Sequence, residues 1–294
     1  MDRPLALYRR YLWESKNISW IYTSSVKQLL ASRDYYLAAA GMEPAKMDAA
    51  AQRELDDLII AATLAAESQV ERDMWGWTIR IPLKPWGLFC GIEPEGTVCA
   101  RFTELRPELA ADPVGCFAIQ RVTANLPVRQ TSLIPCDESV RYLVEQYFEE
   151  SEQLPARLAI RDDEAVMALS MPDASWDAVK SLKADELFDL FHTICRTEQA
   201  ETPAEDTSEL SEKARALKAK FAAAKGSAIG SMHGELKLMH EAVFYYGCRC
   251  DAQNIAQMIA ALPAEQQKEL WQDSPTLDVQ CPRCGRTHII ARNS

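Results

Sequence analysis

The sequence predicts an α+β protein with an N-terminal antiparallel sheet and its helices, a helical linker, and a small C-terminal domain built on four cysteines. Three observations carry this prediction. Short β-rich segments punctuated by proline and glycine fill the region from Trp75 to Val122. Amphipathic helical patterns flank that region and dominate after Pro172. Two close cysteine pairs, Cys248/Cys250 and Cys281/Cys284, stand near the end of the chain. A length of 294 residues gives room for two domains and a small further module. The boundaries read from the pattern are 1–176 for the α+β core, 177–240 for the linker and 241–294 for the cysteine domain.

Along the chain, Ser24 to Arg33 places Val26, Leu29 and Leu30 at helical spacing, and a stronger helix is expected from about Asp48 to Gln69. Strands are expected at Trp77–Ile81, Gly96–Phe102 and Phe117–Val122, separated by turns at Pro85, Gly87, Pro94, Gly96, Pro113 and Pro127. A helix from Ser139 to Ser151 puts Val140, Leu143, Val144, Tyr147 and Phe148 on one face, and a strand pair follows near Arg157–Arg161 and Ala165–Met171. Ala178 to Cys195 is an amphipathic helix. The acidic stretch Glu198–Glu212 has little to bury, and Ser211–Lys225 is rich in alanine and lysine, with Leu217 and Phe221 as its main apolar anchors. Good helix propensity on so thin an apolar stripe makes a linker of low local stability. The Gly226–Ser231 patch breaks it, and Gly234–His240 reads as another short helix.

Composition excludes several classes. A formal net charge of −11 and a pI near 5.0 argue against nucleic acid and anionic membrane as partners, because such affinity comes from lysine and arginine neutralising phosphates. The first ten residues hold no apolar stretch of signal-peptide length. The longest apolar run, Leu58 to Ala66, falls far short of the roughly 20 residues that span a bilayer. A cytoplasmic location is therefore expected, where nine cysteines stay mostly reduced and clustered ones mark a metal or redox site.

Two close pairs separated by a small subdomain can bring Cys248, Cys250, Cys281 and Cys284 around one zinc ion, each pair presenting two soft thiolates from a tight turn. The intervening residues agree. Asp251 can cap a helix from Ala252 to Ala261, Pro263 can open a second from Ala264 to Trp271, Leu277–Gln280 can return as a strand, and Pro282 and Gly285 suit a knuckle. By spacing alone, the ordinary role of such a site is structural. Arg249, between the first thiolates, and Arg283 and Arg286, beside the second pair, push toward redox chemistry, because nearby cations favour the thiolate that oxidants attack. Ligation contributes about 10 to 16 kcal/mol of apparent folding free energy to modules of this kind, so losing the metal should unfold the domain.

The pattern Cys-x-Cys, thirty residues, Cys-Pro-x-Cys resembles that of heat-shock protein 33, a family of redox-regulated holdase chaperones. Arg10–Ser15 resembles the opening of that family, Tyr147–Pro155 its helix-to-strand signature, and Leu262–Pro263 falls where its zinc module turns. The resemblance implies one zinc per chain in the reduced, inactive form. It also implies oxidation to disulfides within Cys248/Cys250 and within Cys281/Cys284, loss of zinc, and unfolding of module and linker to expose a surface for unfolding clients. It implies no catalytic residues, no ATP, and a homodimer when oxidised. The segment from Trp75 to Phe102 lacks the family's glycine-rich loop, and the linker carries an acidic and then basic stretch between Glu198 and Lys225.

Competing readings remain at this point. One is a binding protein with a purely structural zinc site; another is an enzyme using His192 with Cys195 at i and i+3, a pair for which no orienting group is visible. His288 is read as a surface residue rather than a ligand, and His233 and His240 carry no motif. Trp75, Trp77, Trp86 and Phe89 are read as packing in the core or rim of the sheet rather than as an exposed patch, and Cys90, Cys99, Cys116, Cys136 and Cys195 as buried small hydrophobes.

Overall fold

The computed structural model describes residues 3–69, 73–110, 114–123, 128–133, 139–172, 174, 179–199, 236–272 and 274–292. The expected linker helix at 211–225, the glycine patch at 226–231, the turn prolines Pro113 and Pro127, His233 and Cys136 lie outside the described residues.

Two strands precede the first expected helix: β1 (Ala6–Trp13) and β2 (Ile18–Thr23). Helix α1 (Val26–Ala39) runs a turn and a half beyond its expected end. Helix α2 (Ala49–Glu67) starts as expected at Asp48, whose carboxylate accepts the Ala50 and Ala51 N–H groups. Because Leu58 to Ala65 are buried on nearly every side, α2 crosses the core face of the sheet. Then come β3 (Met74–Arg80), β4 (Trp86–Ile92), β5 (Thr97–Glu104), the short α3 (Pro107–Ala110), β6 (Cys116–Val122) and β7 (Arg129–Leu133). Helix α4 (Val140–Glu150) buries the five residues its spacing marked and is capped by Ser139. Strands β8 (Ala156–Arg161) and β9 (Glu164–Ser170) form the expected pair, and α5 (Ala184–Gln199) follows.

Ten strands make one sheet in the order β7-β6-β3-β4-β5-β10-β1-β2-β9-β8. Every neighbouring pair is antiparallel except β10 and β5, which run parallel. The joining strand β10 (Leu236–Tyr246) corrects the sequence reading: Leu236–His240 is strand, not helix. Its backbone groups are taken up by β1, with Leu236 opposite Trp13 and Phe244 opposite Ala6, partners more than 200 residues away that local spacing cannot reveal. The expected start of the cysteine domain at 241 falls inside this strand.

One face of the sheet packs α2 and α4 over Trp75, Trp77 and Phe117, with the two tryptophans stacked 5.6 Å apart. The other packs Leu187, Phe188 and Phe191 of α5 on Trp13, Trp20 and Leu236. Trp75, Trp77 and Trp86 are core, as expected. The β4–β5 turn requires glycine at position 96: φ is +90° there, and a Cβ would stand 2.1 Å from the Val243 carbonyl oxygen of β10. That turn also carries Glu93, whose N–H bonds the Thr97 carbonyl.

Candidate metal centre

Strand β10 delivers the first cysteine pair directly. After Tyr246 the chain continues beside β5, with the Gly247 N–H donating to the Val98 carbonyl at 2.7 Å, and Cys248 and Cys250 follow. Asp251 then caps α6 (Ala252–Ala260) by accepting the Asn254 N–H at 2.9 Å, and Pro263 opens α7 (Ala264–Trp271), both as the sequence indicates. Strands β11 (Thr276–Gln280) and β12 (Thr287–Ala291) pair antiparallel and hold the second cysteine pair between them. There the Cys281 N–H donates to the Arg286 carbonyl and the Gly285 N–H to the Cys281 carbonyl, while Gly285 adopts the φ of +80° that closes the knuckle.

The four expected sulfurs converge. Cys248, Cys250, Cys281 and Cys284 place their Sγ atoms within 4.8 Å of one another, with Cys248 to Cys281 at 3.9 Å and Cys250 to Cys284 at 3.5 Å. Tetrahedral Zn–S bonds of about 2.3 Å set S–S separations of about 3.8 Å, so the quartet is already spaced for such an ion. Two of the thiols are pushed up to about 12: Cys250 by burial and by its bond with Cys284, and Cys284 by its bond with Cys248 and by burial. Crowded, half-buried thiols therefore keep their protons until a divalent cation replaces them.

The surroundings supply donors to the sulfurs. The Arg286 N–H reaches Cys284 and the Cys250 N–H reaches Cys248, while the Tyr36 hydroxyl lies 3.6 Å from Cys284 Sγ. His288 corrects the sequence reading. It is buried rather than a surface residue, with Nε2 3.2 Å from Cys250 Sγ. The alternation of buried and exposed positions along Thr287–Ala291, with His288 and Ile290 inward, is the signal that marks it. Beyond the sulfurs the module has little to hold it: its own core is Ile259, Trp271 and Ile290 with a few partly buried neighbours.

What docks this module on the sheet was not visible in the sequence. Glu93, almost wholly buried, receives the guanidinium of Arg249 from the first cysteine pair and that of Arg283 from the second. Two of the three arginines that flank the cysteines thus converge on one carboxylate of the core domain. Arg283 also passes over Gly91, where a Cβ would stand 2.6 Å from its Nη2 and 3.2 Å from Cys99 Sγ. Arg101 of β5 donates to Gln280 Oε1 at 2.7 Å and to the Cys281 carbonyl at 3.3 Å.

The remaining candidates are placed as follows. Cys90 sits in the main core, where burial pushes its thiol up to about 12, as a small hydrophobe would. Cys99 is buried, but against Cys281 and Cys284 rather than in the general core. His192 directs Nε2 to the Glu164 carboxylate at 3.2 Å, and His240 directs Nδ1 to Glu67 at 2.6 Å.

Fold and site define a class: an α+β protein whose central sheet carries a docked module with four cysteine sulfurs spaced to hold a metal ion. A family model described as Hsp33 protein matches residues 93–291, more than half of the chain, and the chain belongs to the Hsp33 family. Among solved structures, a similar one is the 33 kDa chaperonin, a heat shock protein 33 homolog, of Thermotoga maritima. It has a TM-score of 0.57 and 12% identity, covering 99% of this chain and 95% of that one, a likeness of fold. A search of curated proteins gave no match.

Proposed function

We propose that the chain is a redox-regulated, ATP-independent holdase chaperone of the reducing cytoplasm, with one zinc ion held by Cys248, Cys250, Cys281 and Cys284 in its inactive form. The observation that carries the reading is a quartet of cysteine sulfurs within 4.8 Å in a module whose own apolar core is only a few residues. Bound zinc would supply cross-linking of the two knuckles, a contribution of about 10 to 16 kcal/mol in comparable modules. The chain's own groups do the rest. Peroxide oxidises the thiols in pairs, Cys248 to Cys250 and Cys281 to Cys284 being the pairing that the family resemblance implies. The sulfurs then no longer ligate, and α6, α7 and the β11–β12 hairpin lose what holds them together. Surface released by their departure binds unfolding client proteins, and exposed sheet and linker allow a homodimer. Family membership and the chaperonin title of the similar fold support the chaperone part.

Burial of Cys281 and Cys284 favours a second reading, in which zinc is purely structural. One experiment separates them. Reduced, zinc-loaded protein is warmed with peroxide, released metal is followed with a chromogenic chelator, and light scattering of a heat-denaturing client is followed in parallel. Metal release together with suppressed aggregation only after oxidation is expected; retained metal, or release without protection, refutes the holdase reading.

A further inference from the structure

We propose that Cys99 of β5 is a fifth thiol of the metal centre and that, under oxidation, it is captured by Cys248 in a disulfide tying the module to the central sheet. The inference rests on the redox reading of the four-cysteine site and changes its outcome.

Position comes first. Cys99 is buried in one packed cluster with Cys281 and Cys284, with Cys248 and Cys250 packed against it. The thiols of Cys99 and Cys248 hydrogen-bond to each other. The backbone agrees independently. Strands β10 and β5 run parallel with Tyr246 opposite Val98, and the Gly247 N–H still bonds the Val98 carbonyl, so Gly247, the residue before Cys248, lies beside Cys99. The ladder also puts Gly91 opposite Cys99, and the absent side chain there leaves space that the Arg283 guanidinium and the Cys99 sulfur share. Among the other described cysteines, Cys90 belongs to the main core, Cys116 to β6 and Cys195 to α5.

The chemistry balances with peroxide as the oxidant. The Cys248 thiolate sulfur attacks one peroxide oxygen; the O–O bond breaks, hydroxide leaves and takes a proton from solvent to become water, and Cys248 becomes a sulfenic acid. Cys99 sulfur then attacks Cys248 sulfur; the S–S bond forms, the S–O bond breaks, and hydroxide leaves with the Cys99 proton as a second water. Two thiols are oxidised by two electrons and one peroxide is reduced to two waters. Cys248 is thereby lost as a ligand, and the module, unfolded and undocked, stays tethered to β5 through that one bond.

The test uses the full chain, reduced and zinc-loaded. After peroxide, free thiols are alkylated, the protein is digested without reductant, and the peptides are identified by mass spectrometry while released zinc is measured on the same sample. The expected result is a reductant-sensitive peptide pair joining Cys99 to Cys248, appearing with zinc release and absent from C99S, in which Cys248 joins Cys250 instead. C99A serves if C99S fails to fold, and the wild-type map needs neither. Zinc release with Cys99 alkylated throughout overturns the proposal and leaves the redox reading standing. Retained zinc with no disulfide overturns both.

Discussion

Replacing Glu93 by glutamine removes the charge that holds both cysteine knuckles to the core while keeping the shape of the side chain. The Glu93 side chain is 2% exposed, that of Arg283 27% and that of Arg249 60%. Exposed pairs contribute about 0.2 to 1 kcal/mol, so losing the Arg249 pair should cost about 0.5 kcal/mol. Breaking a buried pair costs about 3 to 5 kcal/mol, and the partial exposure of Arg283 together with the oxygen that glutamine retains reduces its share to about 2.5 kcal/mol. The sum, about 3 kcal/mol, raises the undocked population about 100-fold. Metal transfer from the reduced protein to excess chelator should accelerate by that factor if undocking gates it. The control is E95Q, because Glu95 is 43% exposed and lies 3.9 Å from Arg249 Nε; its rate should stay within about twofold of wild type. An E93Q rate within about threefold of wild type, with unchanged circular dichroism, would refute the clamp.

Four further outcomes are expected. Gly91→Ala sets a methyl 2.6 Å from Arg283 Nη2, and the guanidinium must move. Metal transfer should quicken about tenfold, with less than additive effect on E93Q, as a double-mutant cycle would show. Removing metal by chelation should unfold residues 248–292 and leave the ten-stranded sheet, seen as lost amide protection confined to that segment. Because the Cys250 and Cys284 thiols are pushed up to about 12, protons compete with the metal, and competition titrations should show affinity falling at least about tenfold per unit as pH drops from 8 to 6. Asp57 of α2 is raised to about 6, by burial first and despite Arg141. The folded state therefore binds its proton more tightly than the unfolded one, and Asp57 makes stability fall as pH rises from about 4 to 6. Urea denaturation of D57N should show a gain of up to about 3 kcal/mol at pH 7, reduced by the lost Arg141 pair, and none below pH 4.

The parts of the molecule legible in the sequence are those whose causes are local. Asp251 and Pro263 announce their helices, Gly285 its knuckle, and the spacing of Val140 to Phe148 its buried face. The four cysteines that converge were readable because each pair is held by its own turn. The docking was not, because Glu93 meets Arg249 and Arg283 across 156 and 190 residues, and an isolated glutamate after a β-rich segment looks like any solvated turn. The same limit turned β10 into an expected helix: its partners β1 and β5 are both distant, and Leu236, Leu238 and Met239 fit a helical stripe as well as a strand. Strands β1 and β2 escaped because Arg9 and Arg10 interrupt the apolar pattern. Arg10 is spent on the carbonyls of Glu67, Ser68 and Gln69 at the end of α2.

On the redox reading proposed above, the clamp and the metal act in a definite order, and the magnitudes decide it. Four thiolates around a divalent cation carry about −2, which Arg249 and Arg283 offset, while Glu93 fixes where those two charges stand. Oxidation removes both thiolate and metal charge but leaves two guanidiniums facing one carboxylate, an arrangement that still attracts. Losing the ligands therefore does not cut the clamp directly. It melts the module, and each residue freed regains about 1 to 2 kcal/mol of chain entropy, so a clamp of about 3 kcal/mol is overrun within a few residues. The reverse sequence fails: about 3 kcal/mol removed by E93Q is small beside the roughly 10 to 16 kcal/mol of ligation, so reduced E93Q should keep its metal and stay inactive toward clients. Client protection by reduced, zinc-loaded E93Q would show instead that docking, rather than folding of the module, is what holds the protein off.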